Sequence, residues 1–247
     1  MPLQTIDTRR LYRQIADQLR VLIERGEFAV SSRLPPERDL ARQIGVSRPS
    51  VREALIALEV EGLVEVRMGS GIYVRSKEPS SARPVSAEAP LETIRARQLI
   101  EAELAALAAQ RMKKPEVAGL REAISLMVQE AATGRVPTHG DRLFHTRIAQ
   151  SCNNSVLLRV VSELFDERRN PLFTQLGSHF ENEASWAAAI AEHGAIVDAI
   201  AARSPVAARA AMAQHLKRSH DRFTASWPRR AAAVPVSVRQ RGLSKAL

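Results

Sequence analysis

Apolar residues recur three and four apart along most of this chain and alternate two apart in one short stretch. In LYRQIADQLRVLIERGE, Leu11, Ile15, Leu19, Leu22 and Ile23 share one helical face, and Gly26 fits a C-terminal stop. A loop ending in Pro35-Pro36 leads into PERDLARQIG, a short helix stopped at Gly45. SRPSVREALIALEVEG predicts a third helix from Ser47 to Gly62. The period then switches to two: LVEVR and IYVRS flank Met-Gly-Ser-Gly, which predicts a hairpin. SKEPSSARPVSAEAP has no period and reads as a linker. From Leu91 to about Trp227 the helical period returns. LETIRARQLIEAELAALAAQR is a long amphipathic helix ending near Lys113-Lys114-Pro115, and further helices are expected at about 116–133, 139–151, 154–175, 182–202 and 205–225. No strand-like run interrupts them, so this half is expected to be an all-α bundle.

The second and third helices are joined by Ile44-Gly45-Val46, the tight turn of a helix-turn-helix. Ser47 suits the N-cap of the third helix and Pro49 its first turn, where a missing N–H costs nothing. Arg48 and Arg52 are four apart and share a face, with Ser50 beside them. Val51, Ala54, Leu55 and Leu58 lie opposite, towards a core. A recognition helix presents its N-terminal residues to base edges in the major groove, where Arg matches guanine O6 and N7. Serine hydroxyls and the helix N-terminus suit phosphates. A solvated helix start would carry the same residue types. The flanks tip the balance: Arg38 and Arg42 on the preceding helix, and Gly69-Ser70-Gly71 at the tip of a wing.

Composition narrows the class. With 247 residues, 45% hydrophobic and 26% charged, the chain is globular and long enough for two cores. The net charge of +9 points to a polyanion, but residues 229–247 supply +5 of it, and 1–76 and 77–228 hold only +2 each. DNA binding therefore rests on local arrangement. The single cysteine, Cys152, excludes an internal disulfide and reads as a packing residue. No apolar run approaches the roughly 20 residues of a membrane span, and MPLQTIDTRRLYRQ lacks the apolar core of a signal peptide, so a cytoplasmic protein is expected. Aromatic residues make up 4% without basic interleaving, which argues against single-strand or RNA binding by stacking.

DRLFH puts Asp141 and His145 one helical turn apart, able to chelate one ion. His193 in EHGAIVDAI and His215 in AMAQHLKRSH sit on later helices. Spacing alone leaves these open between metal ligands and ordinary core or surface histidines, such as His139, His179 and His220. Neither HExxH nor a CxxC pair is present, so a metalloprotease or zinc finger is not indicated. Arg97, in ARQLIE, is either an Arg paired with Glu101 at i+4 or an anion clamp. No distinct general base stands out, so an enzyme is not expected.

Residues 11–75 resemble the winged helix of the GntR-type bacterial transcription regulators, through LPPERDLARQIGVSRPSVREAL and GLVEVRMGSGIYV. The resemblance implies that Arg38, Arg48, Arg52 and Gly69 contact DNA, with Ser47 and Ser50 on phosphates. Residues 91–225 resemble the all-helical FCD ligand-binding domain of the FadR-type branch. That implies a divalent metal on Asp141, His145, His193 and His215, zinc first, with nickel or manganese as alternatives. It also implies an effector carboxylate on the metal or Arg97. Asn154, implied as an effector contact, matches the Asn of a Gly-Asn helix start, with Asn153 in the glycine's place, where Asn tolerates left-handed backbone. ARQLIE, LEVEGLVEVR-x-GSGI, R-x-NP at Arg168 to Pro171, and Trp186 ahead of His193 are similar to the repressors of hexuronate utilisation. A sugar-acid effector is then implied, its hydroxyls met by groups such as Arg169 and Asn170. The expectation is a mainly α chain: a winged helix-turn-helix at 1–76, a linker at 77–90, an all-helical effector and metal domain at 91–228, and a basic tail at 229–247. It would act as a homodimer on operator DNA and be released by a small carboxylate. Another acid (gluconate, lactate, a dicarboxylate) or a purely structural metal are the alternatives.

Overall fold

The computed structural model describes residues 10–79 and 87–227, so the expected tail and the middle of the expected linker lie outside the described residues. Three helices open it: α1 (Leu11–Glu24), α2 (Glu37–Ile44) and α3 (Arg48–Val60). Gly45 ends α2 at φ 75°, a left-handed conformation that costs glycine nothing, and its N–H returns to the Ala41 carbonyl at 2.9 Å. Strands β1 (Val64–Arg67) and β2 (Gly71–Val74) pair antiparallel, Val64 opposite Val74 and Arg67 opposite Gly71. The backbone of residues 31–34 adds to β2 through Ser31 N to Val74 O and Leu34 N to Ile72 O, both at 2.8 Å. Helices and hairpin together make a winged helix-turn-helix.

The second half is helical throughout: α4 (Pro90–Arg111), α5 (Lys114–Ala132), α6 (Thr138–Gln150), α7 (Ser155–Asp166), a 3-10 turn at Glu167–Arg169, α8 (Pro171–Phe180), α9 (Glu183–Ala201) and α10 (Pro205–Thr224). The single helix expected at 154–175 is two. The residue before a proline is pushed out of helical backbone. Asn170 accordingly sits at φ −68°, ψ 153°, and its Oδ1 accepts from Phe173 N at 2.8 Å, starting α8 afresh. Among the described residues no helix is long and apolar enough to cross a membrane.

The apolar cores do not divide where the sequence does. One, inside the helical half, gathers Leu104, Leu120, Phe144, Ile148, Ile196 and Met212. The other runs from Ile15, Leu19 and Leu55 of the winged helix into Leu91, Leu172 and Leu176 of the helical half. As a result every residue of α3 from Val51 to Leu58 is buried. One face of α3 packs on α1, and another meets α8 and the start of α4. There Glu53 accepts from Leu91 N at 2.8 Å, and burial pushes its carboxyl up to about 7.

Candidate functional site

The face expected to contact DNA is set by capping. Ser47 holds extended backbone and its Oγ accepts from Ser50 N at 3.3 Å, so the start of α3 projects from the surface with Ser50 Oγ 2.8 Å from Ser47 Oγ. The Arg48 side chain is 54% exposed and that of Arg38 78%. Both line one shallow depression with Arg33 and Gly71, beside the turn of the wing, and Gly69 is exposed at the wing tip. Arg52 departs from the expectation. Its side chain is 2% exposed, with Nε and Nη2 donating to the two Glu37 oxygens at 2.8 Å each. Nη1 donates to the carbonyls of Phe223 at 2.6 Å and Ala225 at 2.7 Å. The rings of Phe180 and Trp227 lie 5.1 and 4.8 Å from the guanidinium carbon. The shared face inferred from i,i+4 spacing is real, but α8 and the end of α10 cover its second turn.

In the helical half the expected ligand set converges. Asp141 and His145 on α6, His193 on α9 and His215 on α10 are all buried, and each offers an atom within 4.8 Å of the others. His145 Nε2 stands 3.3 Å from Asp141 Oδ1, and His193 Nε2 stands 3.0 Å from the same oxygen and 3.2 Å from His145 Nε2. Tetrahedral coordination at about 2.0–2.1 Å separates ligand atoms by about 3.3 Å. The ring orientations are fixed from behind. His145 Nδ1 faces Glu101 Oε2, His193 Nδ1 faces the Ala189 carbonyl at 2.7 Å, and His215 Nδ1 faces Glu192 Oε2 at 2.9 Å. Each outer partner is an acceptor, so the Nδ1 protons point outward and the Nε2 lone pairs are left for the centre, the arrangement that orients metal-bound imidazoles.

Charges support this. Burial raises the cost of a charge on Glu101, yet Arg97 and His145 hold its carboxyl down at about 2. Burial is likewise overcome at Glu192, which His215 and Arg222 hold at about 2. His215, desolvated and beside His193, is pushed down to about 3 and is neutral. Burial works against a charge on His145, but the Glu101 carboxylate raises it. Asp141, held low by His145, His193 and Arg168 in spite of burial, stays ionised, and its Oδ1 has no hydrogen-bond donor. Lone pairs this close need a cation between them: a proton on one Nε2, or a metal ion. The residues fit a metal.

Beside the cluster lies a cavity of about 60 Å³ whose lining includes Arg97, Asp141, Arg168, Trp186, His193 and His215. Arg97 is buried. Its Nε donates to Glu101 at 2.6 Å, its guanidinium lies 4.6 Å from the Phe165 ring, and its Nη2 has no partner. The two readings of Arg97 thus coexist: it is paired at i+4 and still presents a free donor. The other expected effector groups lie elsewhere. Asn154 is the exposed N-cap of α7, its Oδ1 occupied by Val156 N and Leu157 N at 3.1 Å. Arg169 is exposed and outside the cavity. Asn170 caps α8 and donates to the Glu88 carbonyl at 3.1 Å.

Sequence reasoning missed Arg168, one residue from Arg169, which reaches Asp141 Oδ2 at 3.3 Å and Glu181 at 2.8 Å. It also missed Trp186 as a donor, whose buried Nε1 has no partner at the cavity wall, and Glu192 behind His215. The periodic pattern gives no signal for these, because each is brought to the cavity or the cluster by segments distant in the chain. Only the R-x-NP and Trp matches drew attention to Arg168 and Trp186.

Comparison with known proteins agrees with the two-part fold. The family model described as bacterial regulatory proteins, gntR family, matches residues 11–74, and the FCD domain model matches residues 92–218. The chain is 36% identical over 229 residues to the Exu regulon transcriptional regulator of Escherichia coli (strain K12), covering 88% of this chain and 86% of that protein. It is 34% identical over 223 residues to the Uxu operon transcriptional regulator of the same strain, covering 87% of each. A putative L-lactate dehydrogenase operon regulatory protein, also from that strain, is 33% identical over 226 residues, covering 86% of each.

Proposed function

The chain belongs to the gntR family of bacterial regulatory proteins and carries an FCD domain, and from that membership we propose that it is a metal-dependent, carboxylate-sensing repressor of sugar-acid catabolism. Members of this family regulate transcription and are not enzymes. In this reading residues 1–76 bind operator DNA, 91–228 sense the effector, and a homodimer sets two recognition helices on successive major grooves. Arg38, Arg48, Ser47, Ser50 and Gly69 form the DNA face. Asp141, His145, His193 and His215 hold a divalent ion, zinc by donor type with nickel or manganese as alternatives. That ion supplies a Lewis-acid anchor for an effector carboxylate. Arg97 Nη2 and Trp186 Nε1 donate to the rest of the ligand, and Arg168 holds Asp141 and Glu181 in place.

The observation that carries this reading is the set of inward lone pairs beside a cavity that also holds an unpartnered Arg donor. The hexuronate assignment draws on the Exu and Uxu regulators named above. One feature favours a second reading, a smaller acid such as lactate. About 60 Å³ accepts roughly four to six waters, fewer than the heavy atoms of a hexuronate. A hexuronate therefore requires the cavity to open. The test is thermal denaturation of zinc-loaded protein with D-glucuronate, D-galacturonate, fructuronate, tagaturonate or L-lactate, before and after chelation. Stabilisation by one uronate that vanishes on chelation supports the reading, and stabilisation by lactate alone moves it to the second. No response to any acid, with a large loss on chelation, leaves a structural metal.

A further inference from the structure

Two residues belong to both the cavity and the Arg52 cage. Phe180, the last residue of α8, and Phe223, near the end of α10, line the cavity. Phe180 also stacks against the Arg52 guanidinium at 5.1 Å, and Phe223 lends Arg52 its carbonyl at 2.6 Å. The last carbonyls of a helix lack intrahelical donors and favour a cation. Arg52 supplies that cation to α10 from the recognition helix. Trp227 closes the cage: its ring lies 5.1 Å from Phe180, and its Nε1 donates to Glu37 Oε1 at 3.0 Å. Alongside, His179 meets Glu59 of α3 at 2.7 Å. The same Glu37 lies 3.7 Å from Arg48, the exposed arginine one turn earlier.

We propose that Arg52 is a coupling strut between the cavity and the winged helix, not a base reader. Seated, it fixes α3 against α8 and α10 with Arg38 and Arg48 outward. An acid that enlarges the cavity displaces Phe180 or Phe223 and unseats Arg52. Glu37 then loses its guanidinium partner and turns to Arg48, drawing a DNA-contact cation away. The coupling exists because the enlarged cavity and the seated strut exclude one another, so the acid binds the two states unequally. The inference rests on the cavity being the effector site.

The experiment uses the full chain with its two tryptophans replaced by 5-fluorotryptophan, the two ¹⁹F resonances assigned by Trp227→Phe. DNA preferences are read by selection from a random duplex pool. Arg52→Gln, with Glu37→Gln/Arg52→Gln as a companion that leaves no unpaired buried charge, is expected to shift the Trp227 resonance. It lowers affinity for the selected site about five- to a hundredfold and relaxes no base position. Arg48→Ala relaxes one. In the zinc-loaded wild type, D-galacturonate is expected to move the Trp227 resonance towards its position in Arg52→Gln. Loss of preference at a single base pair in the Arg52 variants, with Trp227 unmoved, makes Arg52 a reader and overturns the proposal. So does a uronate that shifts Trp186 while Trp227 stays still. If no acid shifts Trp186, the effector reading fails, and the strut is decided by the variants' Trp227 shift and base preferences.

Discussion

Two of the buried polar centres among the described residues are of opposite kind. The cage around Arg52 brings its own cation: a guanidinium, a carboxylate, two carbonyls and two aromatic faces satisfy one another. The cluster at Asp141 faces its centre with acceptors: three imidazole nitrogens, whose N–H donors point away, and a carboxylate oxygen. Burying unpaired polar groups is costly, so a closed set holds the protein together and an unclosed set waits for something from outside. The first is a joint; the second, in the reading proposed above, is a receptor.

Breaking the closed centre should cost most. Arg52→Leu removes the buried guanidinium from the Glu37 carboxylate and leaves two carbonyls without their donor, and about 3–5 kcal/mol of stability should be lost in urea unfolding. A loss under about 1 kcal/mol would mean that the cage admits water. The receptor should behave the other way, gaining from an added ion. Zinc at a hundred to a thousand times its Kd should stabilise by about 2.7–4 kcal/mol. Asp141→Ala with His193→Ala should abolish that gain and the bound metal, read by denaturation and elemental analysis.

Glu53 sharpens the comparison, being a buried carboxyl with an amide partner but no cation in hydrogen-bond contact. Its carboxyl rises from 4.5 to about 7 on folding, chiefly through desolvation, so the native chain holds the proton more tightly than the unfolded one. Its contribution is therefore intact below 4.5, shrinks as pH rises to 7, and is flat above. Glu53→Gln should remove this slope and stabilise the protein at pH 8 by about 2–3 kcal/mol. The smallest effect on stability belongs to Arg48. Arg48→Ala should stay within about 0.5 kcal/mol in unfolding while weakening operator binding by about 1–3 kcal/mol at one base pair.

What could be read from the chain was local. Gly45 and Ser47 announce the turn and the cap, and the i,i+4 spacing of Asp141 and His145 sets both on one helical face without choosing between a chelate and a core. Asn153 does adopt φ 52°, as its place in a glycine position implied. What could not be read depends on partners far along the chain. Arg48 and Arg52 are equivalent by spacing, and only the packing of α8 and residues 223–227 over the second turn distinguishes them. Glu101 meets His145 across 44 positions. Asn154 and Asn170 sit in motifs that also serve as helix caps, and capping occupies their acceptors.

The apolar core that passes from α1 and α3 into α4, α8 and α10 bears on how this protein can be taken apart. Severing the chain within the linker would strip α3 of one wall and bare Leu55's neighbours, Arg52 and Glu53 to water. A chimaera that joins this reading head to a foreign sensor should therefore transplant α8 and the 223–227 segment with it. The natural unit of exchange is the head together with its saddle, and the seam in the sequence is not the seam in the solid.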